Sequence, residues 1–513
     1  MDPWQCRQGL CGLVAVGGGE WCAEPRYPAG RGGTPGHRLS PEMAHRLRSD
    51  RGAVGHAAQQ DRFTGALCAR GPARRCGGQG GSVRESGAVH SAADPRPAAH
   101  RRDRGLQSLR VRQGSDGGGM ERAAPMGGTG SQAGCGAPLT MDYRFATPAP
   151  EAYAYPLLIR HLLQSALDVR SPCEIVGTDG RRHDYGELGR RIGRLSAVLA
   201  DHGIGPGDVV AVMDWDSHRY LEAYFAVPMM GAVLQTVNVR LSPDQIAYTI
   251  ADTGARLLLF HADFATLVRA IEGGLPALTC KIAMHDGAPV QDMTVAGDYE
   301  TLLAAGTDLF RFVDFDENAL ATTFHTTGTT GLPKAVAFSH RQIVLHTLAE
   351  LAAMAGQPDH QSLRRDDVYM PLTPMFHVHA WGMPYVATLL ALKQVYPGRY
   401  LADRIVASGE REGVTFSHGV PTIVQMLVEA LGDRKLKRPW KMVVGGSALP
   451  SSLCHAARER GIMAFAGYGM SETAPVLSIA RHDPGDAPDS TERSCLAGRP
   501  IPLVQIRVVD ERG

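Results

Sequence analysis

The sequence predicts an α/β protein in which parallel sheets are flanked by helices. From residue 141 onward, segments whose apolar residues follow helical spacing alternate with short apolar runs of strand type. This alternation is typical of parallel strands, because the crossover between two of them is usually a helix. Hydrophobic residues make up 44% of the 513-residue chain and charged residues 20%, which is ordinary for a globular protein.

The predicted elements can be placed in order along this part of the chain. The predicted helices are 156–167, 184–203, 217–233 and 242–254. The predicted strands lie within 207–213, 255–260, 321–324, 335–339, 413–421 and 440–450. Gly203 suits the end of the second helix, and Ser242 followed by Pro243 is a typical start of the fourth.

Residues 1–140 differ in composition from the rest of the chain. They contain no Lys, Ile or Asn, and they are rich in Gly, Arg, Ala and Pro. We expect a disordered extension, because such a segment buries too little apolar surface to offset its chain entropy. The missing residue types have A/T-rich codons, which makes Met141 a candidate for the true start. The chain then divides into an extension, 1–140, and a core, 141–513.

One loop, "FHTTGTTGLPKAV" at 324–336, carries the first sign of chemistry. It combines hydroxyl groups, glycines that permit tight turns and one cation between two strand-like flanks. These residues are Thr326, Thr327, Gly328, Thr329, Thr330, Gly331 and Lys334. Together they form an anion-binding loop, and phosphate is the expected ligand. The spacing differs from the Walker A motif, which has four residues between its first Gly and a Gly-Lys pair.

The stretch "TTGTTGLPKAV" resembles the phosphate-binding signature of the adenylate-forming (AMP-binding) superfamily. That superfamily includes acyl-CoA synthetases, luciferases and the adenylation domains of peptide synthetases. Further stretches resemble its later motifs in the same order: "PMFHVHAWGMPY" at 374–385, "GGSAL" at 445–449, "GYGMSET" at 467–473 and "GRPIPLVQIRVVD" at 498–510. The sequence departs from the usual pattern in three places, with Thr327 for Ser, Ala335 for Gly and Ser471 for Thr.

The resemblance implies a site for ATP and Mg²⁺. In such a site Tyr468 stacks on adenine, Ser471 contacts the α-phosphate, and Glu472 with Thr326 holds Mg²⁺. A carboxylate near a triphosphate makes sense only with a hard cation between them. The further nucleotide-binding candidates are Gly446, Ser447, Ala448, Gly467, Gly469 and Met470. The candidates for catalysis are Thr326, Lys334, His377 and Glu472.

The sequence around residue 376 resembles that of bacterial medium- to long-chain fatty acyl-CoA synthetases most closely. The resemblance implies that His377 borders the acyl site and that Trp381 gates an acyl tunnel; ordinary core packing is the alternative for Trp381. We do not expect a metal at His377 and His379, because no third ligand is evident. The implied reaction joins a fatty acid to CoA through an acyl-adenylate, and the acyl chain length stays open.

Two alternatives stay open beside the fatty acid–CoA ligase. One is a ligase for aryl or other carboxylic acids, and the other is a catalytically dead nucleotide-binding fragment. Family members continue into a C-terminal lid domain, so we expect a large N-terminal core with an incomplete β-barrel-like subdomain and impaired turnover. We also expect a cytoplasmic protein with no transmembrane segment and no nucleic-acid partner, and analogy implies a homodimer.

Overall fold

The protein is described here by a computed structural model covering residues 14–17, 144–307, 310–326, 331–482 and 490–510. Of the predicted extension over residues 1–140, only the strand at 14–17 lies within these ranges. The phosphate-loop candidates Thr327, Gly328, Thr329 and Thr330 lie outside them. Residues from Pro148 onward belong to one compact unit.

The described chain alternates strands with helices, as predicted. The strands are β1 Val14–Gly17, β2 Glu174–Val176, β3 Arg182–Asp184, β4 Val209–Met213, β5 Val233–Thr236, β6 Leu257–His261, β7 Cys280–Met284, β8 Gly297–Asp298, β9 Leu320–Thr326, β10 Lys334–Ser339, β11 Val368–Leu372, β12 Lys393–Val395, β13 Phe416–Gly419, β14 Trp440–Val444, β15 Ile462–Gly469, β16 Val476–Ile479, β17 Arg499–Pro500 and β18 Ile506–Val509. The helices are α1 Arg160–Asp168, α2 Tyr185–Asp201, α3 His218–Met229, α4 Pro243–Thr253, α5 Ala265–Ile271, α6 Tyr299–Ala305, α7 His340–Ala355, α8 Met383–Leu389, α9 Ala402–Glu412, α10 Pro421–Leu431, α11 Ser451–Glu459 and α12 Thr491–Ser494.

Two large sheets organise these elements. The seven-stranded sheet has the order β10-β9-β5-β4-β6-β7-β8, and only the β10–β9 pair is antiparallel. The nine-stranded sheet has the order β17-β16-β15-β14-β13-β11-β12-β2-β3. Its interior pairs are parallel, and antiparallel pairs lie at its two ends. The predicted parallel sheets are confirmed.

Antiparallel strands dominate the chain after β15. Strands β16 and β17 extend the nine-stranded sheet, and β18 pairs in parallel with β1. These are the described strands of the part expected to form an incomplete β-barrel-like subdomain.

Local sequence signals fix several element ends. The Ser242 side chain accepts a hydrogen bond from the Gln245 backbone N–H, which caps α4, and Gly254 ends the helix at φ 64°. Gly203 follows α2 at φ 77°. The first helix starts at Arg160 rather than at residue 156. Just before it, the Leu157 N–H donates to the Glu317 carboxylate at 2.7 Å.

The seven-stranded sheet is covered on both faces. Along β4, Val210 and Val212 pack into the larger apolar cluster, while Val209, Ala211 and Met213 pack into a smaller one on the other face. Strands buried on both faces are typical of parallel sheets. Among the described residues, every helix is too short or too polar to cross a bilayer.

Candidate active site

A cavity of about 230 Å³ opens at the carboxyl ends of β14 and β15. Ligand sites of α/β proteins commonly lie at this end of parallel strands. The predicted site residues that line the cavity are His377, Trp381, Gly446, Gly467, Tyr468, Gly469, Met470 and Ser471. Three separate segments of the predicted site therefore meet around one space.

Glycines allow the backbones around the cavity to approach closely. A β-carbon on Gly445 would lie 2.9 Å from the Gly467 carbonyl oxygen and 3.1 Å from Cη2 of Trp381. One on Gly469 would lie 1.9 Å from the Pro475 carbonyl oxygen. The two contacts with carbonyl oxygens are shorter than carbon and oxygen atoms tolerate, so a glycine is sterically required at each position.

Trp381 lies at the end of an unusual turn. Val378, His379, Ala380 and Trp381 all have positive φ, between 41° and 59°, and Gly382 continues at 77°. The left-handed conformation costs about 1–2 kcal/mol for each residue that carries a β-carbon. All of these residues are buried, and the Trp381 ring packs 5.3 Å from the ring of His418. Tertiary packing therefore imposes a conformation that the local sequence disfavours.

Three buried side chains fix the segment just before this turn. The Asp216 carboxylate accepts a hydrogen bond from the Met375 backbone N–H at 2.8 Å, and the Tyr224 hydroxyl donates to the Met375 carbonyl. The Thr236 hydroxyl donates to the Phe376 carbonyl at 2.9 Å. These contacts place His377 at the cavity.

The histidines of this segment have different surroundings. His377 opens onto the cavity, yet enough protein surrounds it that burial, aided by Arg240, lowers its pKa. His379 is buried among aromatic rings that include Phe324, and burial lowers its pKa to about 3. Among the described residues, neither histidine belongs to a group of three or more potential metal ligands.

A buried polar pair supports the cavity from behind. The Val476 N–H donates to Nε2 of His346 at 3.3 Å, and Nδ1 of His346 lies 3.8 Å from the Glu350 carboxyl. Burial lowers the pKa of His346 to about 4 and raises the pKa of Glu350 well above its usual range. In both side chains, burial therefore disfavours the charged form.

Those remaining predicted residues that lie within the described ranges are outside the cavity lining. Ser447 and Ala448 are exposed beyond the end of β14, and Glu472 is exposed in the short turn after Ser471. Thr326 and Lys334 are paired across the antiparallel strands β9 and β10, and the Thr326 hydroxyl donates to the Lys334 carbonyl at 3.4 Å. The loop between these strands contains Gly331, which is exposed.

Several residues that build the site carry no motif. Asp216 and His346 are distant from the cavity segments in sequence, and Val476 was not a candidate. Their roles depend on long-range contacts, for which a single sequence gives no signal. Gly445 is the exception, because its place in "GGSAL" marked a glycine-rich turn.

Comparison with known proteins identifies the family. A family model described as AMP-binding enzyme matches residues 166–513. The chain belongs to the AMP-binding enzyme family. This confirms the resemblance drawn from the motifs at 326–336 and 467–473.

Two relatives illustrate the range of the AMP-binding family around this chain. A long-chain-fatty-acid–CoA ligase of Thermus thermophilus is 41% identical over 339 residues, which cover 65% of this chain and 60% of the relative. A 3-methylmercaptopropionyl-CoA ligase of Ruegeria lacuscaerulensis is 34% identical over 372 residues, which cover 70% and 68%. The chain thus spans about three fifths of the length of the first of these relatives.

A solved structure supports the fold of this AMP-binding protein. The crystal structure of an anthranilate CoA ligase in complex with anthranoyl-AMP superposes with a TM-score of 0.61 at 22% identity. The match covers 70% of this chain and 67% of that chain. At this identity the likeness concerns the fold alone.

Proposed function

We propose that this AMP-binding protein activates a fatty acid as its acyl-adenylate and then forms the CoA thioester. The observation that carries the proposal is the cavity at the ends of β14 and β15. There the apolar ring of Trp381 and the hydroxyl-bearing residues Tyr468 and Ser471 line the same space. An acyl-adenylate needs this combination, because its apolar chain and its nucleotide are covalently joined. The 41% identical fatty-acid ligase supports the choice of acid.

The first half-reaction needs positioning and charge compensation rather than a protein nucleophile. A carboxylate oxygen of the fatty acid attacks the α-phosphorus of ATP, and the bond to the bridging oxygen breaks to release pyrophosphate. We assign Tyr468 to the adenine ring, Ser471 to the α-phosphate and Lys334 to the charge of the leaving phosphates. Holding the two reactants in line and compensating developing charge lowers such a barrier.

Mg²⁺ is implied by the family, and the residues present fit it. Glu472 is exposed and has no ion-pair partner within the described part of the chain, and Thr326 offers a hydroxyl group. Oxygen atoms of this kind are the ligands that Mg²⁺ prefers. We propose that Thr326 and Glu472 hold the ion, which would offset the charge of the triphosphate.

The second half-reaction consumes the acyl-adenylate. The CoA thiolate attacks the acyl carbonyl carbon, the carbon–oxygen bond to the phosphate breaks, and AMP leaves.

His377 opens onto the cavity and its lowered pKa keeps the imidazole neutral near pH 7. In the first half-reaction, a neutral ring there orients the fatty acid without forming an ion pair with its carboxylate, so the carboxylate stays nucleophilic. We assign His377 to the boundary between acyl group and nucleotide.

The remaining assignments are proposals of the same kind. Thr327, Gly328, Thr329, Thr330 and Gly331 would cradle the phosphates, and Gly446, Ser447 and Ala448 would border the adenine. Gly467, Gly469 and Met470 would give the nucleotide room at the cavity. A cytoplasmic location and a homodimer stay predictions.

A shorter acid is the second candidate substrate. The cavity measures about 230 Å³, whereas typical ligand pockets measure about 300–1,000 Å³. A relative that is 34% identical is named for 3-methylmercaptopropionate, a short thioether acid. A long fatty acid would require Trp381 to move, whereas a short acid would fit with less rearrangement.

Pyrophosphate exchange into ATP tests the proposal directly. The full chain is assayed with Mg-ATP and one acid at a time: 3-methylmercaptopropionate, octanoate, palmitate or benzoate. We expect exchange with a fatty acid. Exchange with benzoate alone would mean an aryl ligase, and exchange with the thioether acid alone would favour the second candidate. No exchange, with Mg-ATP still raising the melting temperature, would leave only nucleotide binding.

A matched pair of variants ties the exchange to the assigned residues. Glu472→Gln removes the proposed Mg²⁺ ligand, and we expect the exchange rate to fall at least 100-fold. Glu459→Gln changes an exposed glutamate on α11 that does not line the cavity. Equal rates for the two variants would overturn the role of Glu472.

A further inference from the structure

A second cluster of potential ligands lies at the opposite edge of the nine-stranded sheet from the cavity. It is built from the β2–β3 hairpin, the start of α3 and the start of α6. Two groups share His218: one with His183 and Glu222, the other with Asp179 and Glu300. Within each group the ligand atoms lie within 4.8 Å of one another. None of these residues lines the cavity.

The histidines of this cluster have unused nitrogen atoms. His218 is 0% exposed, and neither of its ring nitrogens makes a hydrogen bond. Its Nε2 lies 3.7 Å from Oε1 of Glu300, which is too long for one. The Nε2 atom of His183 is also buried without a hydrogen-bond partner, and the two ring centroids are 5.4 Å apart. Buried polar atoms without partners are rare and costly, so they call for an explanation.

The carboxylates of the cluster are held in place by other groups. Nε of Arg191 donates to Glu222 at 2.7 Å, and the Tyr299 hydroxyl donates to the same carboxylate at 2.6 Å. Nη1 of Arg191 donates to Glu300 at 2.8 Å. Each carboxylate oxygen has two lone pairs, so these contacts orient the groups and leave acceptor capacity. Supporting contacts of this kind are typical around metal ligands.

The charge of the surroundings permits a cation. Ion pairs bring the guanidinium groups of three arginines to the cluster, and carboxylates outnumber them by one. The arginines are Arg181, Arg191 and Arg219, and the carboxylates are Asp179, Glu222, Asp286 and Glu300. The arginines and carboxylates of the cluster therefore do not add up to a net positive charge against a divalent ion.

We propose that His183, His218 and Glu222 bind a zinc-like transition-metal ion. Two imidazole nitrogens and one carboxylate oxygen are a common protein ligand set for Zn²⁺, and water or Glu300 would complete four-coordination. The ligand atoms lie within 4.8 Å of one another. In a tetrahedral site with metal–ligand bonds of ~2.0–2.1 Å they would be about 3.3 Å apart, so metal binding must draw them together. Because the ligands come from β3 and α3, the ion clamps the hairpin to the helix.

The test uses the full chain without a histidine tag, stripped with a chelator and then titrated with Zn²⁺. We expect one tightly bound ion per chain after dialysis and a higher melting temperature. His183→Gln changes a half-buried ligand, and we expect zinc affinity to fall at least tenfold. The matched control, His455→Gln, alters an exposed histidine on α11 and should bind like the unmodified chain. Equal zinc affinity of the His183 variant and the unmodified chain would overturn the proposal.

Cobalt distinguishes this cluster from the cysteines of residues 1–140, and it needs no variant. With Co²⁺ we expect the intense visible bands of a four-coordinate ion and no thiolate-to-metal charge-transfer band. A charge-transfer band would place the ion on cysteine, and weak bands of a six-coordinate ion would mean surface binding. Either result would overturn the proposal even if His183→Gln failed to fold.

Discussion

Asp216 combines a structural contact with an unusual ionisation. Its carboxylate accepts from the Met375 N–H and, at 2.5 Å, from the Tyr400 hydroxyl. Burial raises the pKa of Asp216 to about 7, although the two hydrogen-bond donors lower it. The charge of Asp214 raises this pKa further, and the charge of Arg240 lowers it. The residue that holds the segment before His377 is therefore protonated in a large fraction of molecules at neutral pH.

This ionisation predicts a pH-dependent stability. The folded-state pKa lies above the unfolded value of about 4, so folding takes up a proton between these values. The free energy of unfolding should therefore fall as pH rises from about 4 to 7, by a few kcal/mol at most, because each pKa unit is worth ~1.4 kcal/mol. Asp216→Asn keeps an acceptor for Met375 and abolishes the titration. Denaturant unfolding at pH 5, 6, 7 and 8 measures how the free energy of unfolding changes with pH in the unmodified chain and in Asp216→Asn.

An exposed aspartate supplies the comparison for this experiment. Asp403→Asn alters the first turn of α9 at the surface and should keep the pH profile of the unmodified chain. The interpretation fails if Asp216→Asn also keeps that profile.

Gly445 is predicted to tolerate no side chain. A β-carbon there would stand 2.9 Å from the Gly467 oxygen and 3.1 Å from the Trp381 ring. We expect Gly445→Ala to lower the free energy of unfolding by about 1–3 kcal/mol, as overpacking does, and to reduce pyrophosphate exchange. Gly273→Ala is the matched control, since a β-carbon there meets nothing within 4 Å. Equal stability of the two variants, from denaturant melts, would contradict the steric role.

Regular elements were largely predictable because their signals are local. The start of α4 follows from Ser242 and Pro243, and β9 and β10 follow from the apolar flanks of the candidate phosphate loop. The turn at 378–382 was not predictable, because four consecutive residues that carry a β-carbon have positive φ there, and such residues rarely do. Its conformation comes from packing against distant residues such as Phe324 and His418.

The strain in this turn predicts an unusual response to glycine. At Ala380, φ 47°, glycine relieves about 1–2 kcal/mol of strain. It also raises unfolded-chain entropy by about 0.4–1 kcal/mol and removes a buried methyl worth about 0.8 kcal/mol. These effects nearly cancel, so Ala380→Gly should change stability little. Ala352→Gly, at an exposed position of α7, should cost about 1 kcal/mol. Ala380→Gly costing more than Ala352→Gly in denaturant melts would argue against strain.

The candidate site as a whole depends on long-range contacts. The sequence shows the order of its motifs along the chain but not which residues support them. The motifs at 377–381, 445–446 and 467–471 were recognisable singly, and the fold brings them to one cavity. The supports were not recognisable, because Asp216 reaches Met375 across 159 residues and His346 reaches Val476 across 130. Such pairs are set by the topology of the sheets rather than by any local pattern.

The topology also divides the proposed ATP site between the two sheets. Lys334 begins β10 in the seven-stranded sheet, whereas Tyr468 lies on β15 in the nine-stranded sheet and Glu472 follows it. A nucleotide that contacts both sheets ties them together, and its binding energy adds to the stability of the compact unit. At 100 times the dissociation constant this stabilisation is about 2.7 kcal/mol.

We therefore expect Mg-ATP to stabilise the chain through both sheets at once. Lys334→Ala and Glu472→Gln should each weaken ATP binding at least tenfold and so reduce the stabilisation at fixed ATP by at least about 1.3 kcal/mol. Glu459→Gln should keep it in full, because Glu459 lies on the exposed side of α11. Thermal melts with and without Mg-ATP measure the three variants side by side. If Lys334→Ala kept the full stabilisation while Glu472→Gln lost it, the nucleotide would be held by the nine-stranded sheet alone. The loop at 324–336 would then not bind the phosphates of ATP.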